Sequence, residues 1–249
     1  MRAESWNAFS LPDTAVVTGS RKKRQLLSAY GVSYLSDPDA VALVGMDEDQ
    51  YDLEYGNGVL IEGDGYSVRK ARAKAQSIGE WQAGQATTVP RHLIVTDSVH
   101  TYEIGGRVIS VDKHNGNPQR LQDLLSFYHA LPPGTIVSTT TGIAVVSPDN
   151  QQPVLYKAYL RLGRWTPQDG LESFVAADEN ISGGYTTSAA IHRGDITLDP
   201  FVRYQIERLD SLGGNIIGGS LLERDSFTGE LAGDAVNYEG IVRLNLGLT

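Results

Sequence analysis

The sequence predicts an α/β fold in which β-strands alternate with helices. Short apolar runs of strand length are separated by amphipathic stretches along most of the chain, and this alternation is typical of α/β proteins. Hydrophobic residues make up 41% of the 249 residues, which is enough for a sizeable core and too much for a disordered chain. Because no internal repeat and no Pro- or Ser-rich linker divides the sequence, we expect a single domain, with room for two lobes.

The predicted strands are short runs of apolar and β-branched residues bounded by turn-forming residues. Six runs meet this description. They are Ala15–Val17, Val41–Gly45, His92–Thr96, Arg107–Val111, Thr135–Val146 and Val154–Leu162.

The predicted helices are stretches in which apolar residues recur every three or four positions. The clearest are Lys22–Tyr30, Val68–Ile78 and Pro118–Ala130. A further helix is predicted to begin at Pro167 and Gln168 and to run through Leu171, Phe174 and Val175. The last is predicted over Phe201–Leu209, because Asp199 and Pro200 have the order of an N-cap and a first-turn proline.

Two segments are predicted to be irregular. Asp47–Gly65 contains seven carboxylates and no Lys or Arg, so part of it is expected to be an acidic loop. Near the C-terminus, Gly213-Gly214 and Gly218-Gly219 enclose a short apolar segment that is predicted to be a turn.

Composition excludes several classes of function. The formal net charge of −9 argues against binding to nucleic-acid polymers, which select for an excess of Lys and Arg. The absence of Cys excludes disulfides, thiolate metal sites and cysteine nucleophiles, and is consistent with a reducing compartment. No apolar run approaches the length that spans a bilayer, and Met1–Ala15 lacks the apolar stretch of a signal peptide. We therefore expect a cytoplasmic protein with no membrane partner.

A basic run interrupts this acidic sequence at a predicted strand-to-helix junction. Thr18, Gly19 and Ser20 precede four consecutive basic residues, Arg21 to Arg24. Such a junction can bind an anion, because a helix N-terminus offers unpaired N–H groups and hydroxyls can donate to phosphate oxygens. The alternative is a solvated helix face whose basic residues offset the acidic surface. The charge run alone does not decide between the two.

Eight segments, in order along the chain, resemble the motifs of Maf-like nucleotide pyrophosphatases. The first, Val16–Leu27, resembles the strand, Ser-x-Ser-Pro-Arg-Arg turn and Leu-Leu helix that open the family's sequences. The other seven are Asp47-Glu48, Ala71–Ala75, Leu93–Val99, Gly106–Lys113, Thr141–Val146, Ser182–Tyr185 and Asn215–Gly218. The resemblance covers residues 16–222 and leaves a C-terminal extension. The order of the motifs along the chain makes the resemblance specific.

The resemblance implies a single domain of two lobes around an elongated mixed β-sheet flanked by helices, often as a homodimer. It also implies hydrolysis of a nucleoside triphosphate between the α- and β-phosphates, with Mg²⁺ or Mn²⁺, of non-standard or pyrimidine nucleotides. The residues that it assigns fall into three groups. Catalytic roles go to Asp97 and Lys74, phosphate binding to Thr18, Ser20, Lys22, Lys23 and Lys113, and metal binding to Glu48 and Asp97.

The sequence also departs from the family pattern. Arg21 stands where the family has Pro, Lys22 and Lys23 replace its paired Arg, and the Gln expected shortly after Tyr185 is missing. Lys keeps the charge of Arg without its bidentate fork. Two alternatives therefore remain beside the pyrophosphatase: a nucleotide-binding or regulatory protein with attenuated catalysis, and an ITPase-type enzyme of the related superfamily.

Overall fold

The computed structural model describes most of the chain between residues 13 and 223. The described ranges are 13–19, 21–29, 32–44, 58–85, 89–112, 117–148, 152–170, 190–191, 193–210 and 213–223. The strands in these ranges are β1 (Thr14–Val17), β2 (Tyr34–Leu35), β3 (Leu60–Glu62), β4 (His92–Ile104), β5 (Arg107–Val111), β6 (Ile136–Val146), β7 (Val154–Trp165), β8 (Ile196–Leu198), β9 (Phe201–Asp210) and β10 (Gly213–Glu223). The main helices are α1 (Arg21–Ala29), α2 (residues 38–44), α3 (Tyr66–Ala83) and α4 (Pro118–Ala130).

The strands form one mixed sheet, as expected for an α/β fold. Its main path runs in the order β10-β9-β7-β6-β4-β1-β2. Strand β1 is parallel to both β2 and β4, whereas the pairs along the rest of the path are antiparallel. Beside this path, β5 pairs with β3 and β4, and β8 pairs with β7. The prediction of an α/β fold with a mixed sheet is therefore confirmed.

Strand β4 is the long strand that organises the sheet. It pairs with β6 from Leu93 to Glu103 along one edge. Along its other edge, β1 pairs with residues 92–94 and β5 pairs with residues 100–104. Neither β1 nor β5 pairs with residues 95–99, and we call this stretch of β4 the notch. The notch separates β1 and β2 from β3 and β5.

Each face of the sheet carries its own hydrophobic core, because successive side chains on a strand point to opposite faces. On one face, α3 packs against β1, β4 and β6, and we call this the α3 face. Its buried residues are Ala15, Val17, Ala40, Ala71, Ala75, Ile78, Leu93, Val95, Ala144 and Val146. On the opposite face, the α4 face, Leu121, Leu124 and Tyr128 of α4 pack against Val137 and Leu160.

Local signals in the sequence account for the helices that were predicted with correct limits. Helix α4 occupies Pro118–Ala130, as predicted, because the Asn117 side chain accepts hydrogen bonds from the backbone N–H groups of Gln119 and Arg120. Pro118 at the first helical position needs no N–H partner. Helices α1 and α3 also coincide with predicted helices to within a few residues.

The strand predicted at Val41–Gly45 is wrong where it is described, since residues 41–44 belong to helix α2. The Asp37 side chain accepts hydrogen bonds from the backbone N–H groups of Asp39 and Ala40. This N-cap, with Pro38 in the first turn, starts a helix that overrides the apolar run.

The predictions for the C-terminal part of the sheet are also wrong. Phe201–Leu209, predicted as a helix, lies in strand β9 between β7 and β10. Gly213–Gly219, predicted as a turn, lies in strand β10, which pairs with β9 through a bulge between Ile216 and Gly218. Pairing of β9 with β7, and of β10 with the adjacent strand β9, determined the structure of both segments.

Two other predictions concern the ends of elements. The helix predicted from Pro167 and Gln168 is absent in residues 167–170, which form a turn, and its remainder lies outside the described residues. Strand β3 and a turn occupy the end of the predicted acidic loop, whose first part is not described. In the ranges given above, no helix is both long and apolar enough to cross a membrane.

Candidate active site

Asp97 and Lys74 form a buried ion pair in the notch. The Lys74 Nζ lies 2.5 Å from Asp97 Oδ2, and the two residues are only 3% and 6% exposed. Asp97 was predicted at the end of a strand, whereas β4 continues seven residues beyond it to Ile104. Ser98 and Thr101, which follow Asp97, still pair with residues of β6. The polar residues after Asp97 therefore do not end the strand. A buried charge is costly without a partner of opposite sign. The Lys74–Asp97 ion pair therefore fixes the position of α3 relative to β4 at this point.

Gly142 allows α3 to approach the sheet beside Asp97. It is the direct partner of Asp97 on the neighbouring strand β6. A Cβ atom at this position would overlap the backbone of Ser67 and Val68, in the first turn of α3. Because Gly142 has no side chain, α3 can lie close enough to the sheet for Lys74 to reach Asp97.

A second buried cluster lies at the other end of the notch. Lys70 Nζ lies 3.3 Å from Asp112 Oδ2, and the Tyr66 hydroxyl donates to the same oxygen at 2.8 Å. Asp112 directly follows β5, whose last residue, Val111, pairs with His100. Continuing this antiparallel register places Asp112 level with Val99, on the α3 face like Asp97.

Sequence reasoning missed this second cluster. A signal was present: Tyr66, Lys70 and Lys74 follow one another at four-residue intervals, which places them on one face of a helix. Helical spacing alone does not single out Lys70, because a lysine on an amphipathic helix is usually exposed. In the structure Lys70 is 5% exposed.

Thr18 borders the notch from the side of β1. It follows the last residue of β1, and its backbone N–H donates to the carbonyl of Leu35 on β2 at 3.1 Å. The parallel register of β1 and β4 places Thr18 level with Thr96. Val17 packs on the α3 face, so the alternation along β1 directs Thr18 to the α4 face, opposite to Asp97. Thr18 and Asp97 are thus neighbours along the notch on different faces.

The turn after Thr18 is the predicted strand-to-helix junction. Helix α1 begins at Arg21, so its N-terminus lies at the carboxyl end of β1, beside the notch. A Cβ atom on Gly19 would lie 2.6 Å from Cγ1 of Val41 in α2. A small residue at this position therefore suits the close packing of the turn against α2.

The structure describes only part of the predicted site. It brings Lys74 and Asp97 into contact, and it places Thr18 at the neighbouring level of the notch but on the opposite face of the sheet. Lys22 and Lys23 lie in the first turn of α1, but their side chains are outside the described part of the structure. Ser20, Glu48 and Lys113 also lie outside the described residues. Their roles stay predictions.

A charged row crosses the α3 face from the notch. Asp97 pairs with Gly142, Gly142 with Lys157, and Lys157 with Glu207 on successive strands. The Lys157 Nζ lies 3.0 Å from Asp64 Oδ2 and 3.1 Å from Glu207 Oε2. Burial lowers the pKa of Lys157, but its hydrogen bonds and charge interactions with Asp64 and Glu207 outweigh this and raise the pKa above 10.5. Lys157 therefore ties the segment before α3 to β7 and β9.

The donor chemistry of the notch fits a divalent cation. Asp97 supplies a carboxylate, the ligand type that Mg²⁺ and Mn²⁺ prefer, and Mg²⁺ commonly uses only one or two carboxylates with phosphate and water oxygens. Within the ranges that the structure describes, no group of three or more His, Asp or Glu side chains is arranged to hold a metal.

In comparisons with known proteins, no family model matches this chain, and no curated protein matches its sequence significantly. A functional assignment therefore depends on the geometry of the notch and on the order of the sequence motifs. The described part of the notch combines two buried lysine–carboxylate ion pairs, Lys74–Asp97 and Lys70–Asp112, with the nearby N-terminus of a basic helix. This arrangement can accept a polyanion, and the Asp97 carboxylate can orient a water molecule.

Proposed function

We propose that the protein is a nucleoside triphosphate pyrophosphatase that cleaves between the α- and β-phosphates and releases a nucleoside monophosphate and pyrophosphate. The observation that carries this proposal is the buried Lys74–Asp97 pair in the notch, beside the turn between β1 and the basic helix α1. The proposal includes a Maf-like or ITPase-like fold. Its support is the long strand β4, along which the notch separates two groups of strands.

Each part of the notch has a role in the proposed reaction. The N–H groups at the start of α1, with Thr18 and the basic residues Lys22 and Lys23, bind phosphate oxygens of the substrate. Lys74 offsets negative charge that develops on the phosphates. Asp97 orients the attacking water and accepts its proton.

The remaining assignments come from the resemblance. Lys113 and Ser20 are proposed to bind phosphate, and Glu48 is proposed to bind metal together with Asp97. When bound there, Mg²⁺ or Mn²⁺ supplies charge neutralisation and alignment of the phosphate oxygens. The substrates are proposed to be non-standard or pyrimidine nucleotides, and an ITPase-type enzyme of the related superfamily is the alternative.

A second candidate function is nucleotide binding without turnover. The observation that favours it is the 2.5 Å contact between Lys74 Nζ and Asp97 Oδ2. An ammonium group this close stabilises the carboxylate charge and makes Asp97 a weaker acceptor for the proton of water. The same residues at the notch would then hold a triphosphate without cleaving it.

An assay of pyrophosphate release distinguishes the two functions. Purified protein is mixed with Mg²⁺ and a panel of standard and non-standard nucleoside triphosphates, and the same panel is tested with Asp97→Asn. Asp64→Asn is the matched control, because Asp64 also pairs with a lysine on the α3 face but lies outside the notch. We expect release by the wild type and by Asp64→Asn, and a loss of about a hundredfold or more in Asp97→Asn.

Other results would reject the proposal. Release that is unchanged in Asp97→Asn would exclude Asp97 as the group that activates water. Nucleotide binding by calorimetry without release of pyrophosphate would favour the second candidate. Neither binding nor release for any nucleotide of the panel would contradict both functions.

A further inference from the structure

Two buried lysines, one helical turn apart, face the notch from α3. Lys74 meets Asp97 on β4, and Lys70 meets Asp112 directly after β5. The register places these carboxylates two levels apart along the notch, at the levels of Asp97 and Val99. Both ammonium groups are therefore held beside the segment of β4 that is proposed to face the triphosphate.

Asp112 has a second hydrogen-bond donor besides Lys70. Asp112 Oδ2 accepts a hydrogen bond of 2.8 Å from the Tyr66 hydroxyl as well as the 3.3 Å contact from Lys70. If Lys70 moves away, the Tyr66 hydroxyl still stabilises this carboxylate, which limits the cost of leaving a buried charge unpaired. The four-carbon stem of lysine allows its ammonium group to move without a change in the backbone.

From these contacts we infer that Lys70 is a second phosphate-binding lysine, which leaves Asp112 for the triphosphate when the nucleotide binds. The inference rests on the proposed function and adds a residue to its site. Asp112 and Tyr66 are then positioning residues that hold the ammonium group of Lys70 at the notch until the substrate arrives.

The charge balance of the notch supports this exchange. Lys70 and Lys74 with Asp97 and Asp112 carry no net charge together. A fully ionised triphosphate brings about four negative charges into this buried region, and one divalent cation offsets only two of them. Moving Lys70 from Asp112 to the phosphates leaves this total unchanged but brings one positive charge into direct contact with the ligand.

Binding of inorganic tripolyphosphate in the presence of Mg²⁺, measured by titration calorimetry on the full chain, tests the inference. Lys70→Met keeps the length and apolar character of the side chain and removes its charge. We expect its affinity for tripolyphosphate to fall about tenfold or more, because a charge-assisted hydrogen bond is lost. Lys157→Met is the matched control, since it removes another lysine from an ion pair on the α3 face, about two strands from Asp97. Its affinity is expected to change less than about twofold.

Variants of the two residues that hold Lys70 should change the affinity in opposite directions. Tyr66→Phe removes the hydroxyl that stabilises Asp112 after Lys70 leaves. It should weaken tripolyphosphate binding about threefold or more, although Tyr66 itself does not contact the ligand in this arrangement. Asp112→Asn weakens the hold on Lys70 and should strengthen binding in protein whose circular dichroism spectrum is native. A purely structural cluster would lower the affinity in both variants or in neither, and either result would overturn the inference.

The same titrations separate this inference from the proposed function. If the wild type binds tripolyphosphate and Lys74→Met weakens binding but Lys70→Met does not, Lys70 is not a phosphate ligand and the pyrophosphatase proposal is unaffected. If the wild type binds no tripolyphosphate and releases no pyrophosphate from nucleotides, the proposed function fails, and this inference fails with it.

Discussion

Asp97 and Gly142 are direct partners across strands β4 and β6, and the backbone of α3 occupies the space where a side chain of Gly142 would lie. The ion pair between Lys74 and Asp97 therefore depends on a residue that has no side chain. The close approach of helix and sheet, rather than the length of the lysine alone, sets the geometry of the candidate site.

Gly142→Ala should destabilise the protein by about 1–3 kcal/mol, because the added methyl group would overlap backbone atoms of Ser67 and Val68 that cannot rotate away. Urea unfolding measures the change. Gly79→Ala is the control within α3: its Cβ would lie 3.5 Å from the Val146 side chain, an ordinary contact. That variant should be neutral or stabilised by about 0.5–1 kcal/mol, through helix propensity. Equal effects of the two substitutions would contradict the close approach at Gly142.

The phenol of Tyr128 should make the protein less stable at alkaline pH. Tyr128 is buried on the α4 face, stacked on Trp165 with ring centroids 5.3 Å apart. Burial raises the pKa of Tyr128 from 10.0 to about 12, and a hydrogen bond with Tyr102 opposes part of this change. Between these values the unfolded chain loses the proton and the folded chain keeps it, so the free energy of unfolding falls as pH rises.

The expected loss from this one group is about 2–3 kcal/mol over the interval from about pH 10 to about pH 12. Urea titrations at several pH values measure it. Tyr128→Phe removes the ionisable hydroxyl, so its stability should fall less steeply over the same interval. An identical slope in wild type and Tyr128→Phe would mean that Tyr128 does not carry this pH dependence.

Lys157 should contribute stability that is also lost at high pH, for a different reason. Its ion pairs with Asp64 and Glu207 raise its pKa above 10.5 despite the opposing effect of burial. A group with a raised pKa in the folded state stabilises fully below its unfolded pKa of about 10.4 and loses this contribution as pH rises through the folded value. At pH 8, Lys157→Met should therefore unfold at a lower urea concentration than the wild type, and the difference should shrink above the folded pKa. A difference that is constant with pH would show that packing alone causes it.

Helix α4 is an element whose predicted limits rested on nearby residues and were correct. Helix α4 begins where Asn117 caps it. Strand β9 was mistaken for a helix because Asp199 and Pro200 have the order of a helix start, whereas pairing with β7 and β10 determined the outcome. No local pattern encodes those partners, since strand pairing is a property of the whole sheet.

In the candidate site, too, some residues could be predicted from the sequence and others could not. Lys74 and Asp97 were singled out through ordered motifs, and in the structure their side chains are in contact. Asp112 was missed because its position at the notch depends on the register of β5 against β4. A register is fixed by long-range pairing and cannot be derived from the residues around Asp112.

A double-mutant cycle on Lys74 and Asp97 tests how strongly the candidate site is held together. Removing either partner leaves a buried charge without its ion pair, so Lys74→Met and Asp97→Asn should each cost about 3–5 kcal/mol in urea unfolding. In the double variant no charge is left unpaired, and its loss should be smaller than the sum of the two single losses by at least about 1 kcal/mol. The exposed pair Arg107 and Glu62 is the control, because solvent screens it and its coupling should be below about 1 kcal/mol. Additive losses at Lys74 and Asp97 would show that the two side chains do not interact in solution, and the proposed catalytic arrangement would lose its main structural support.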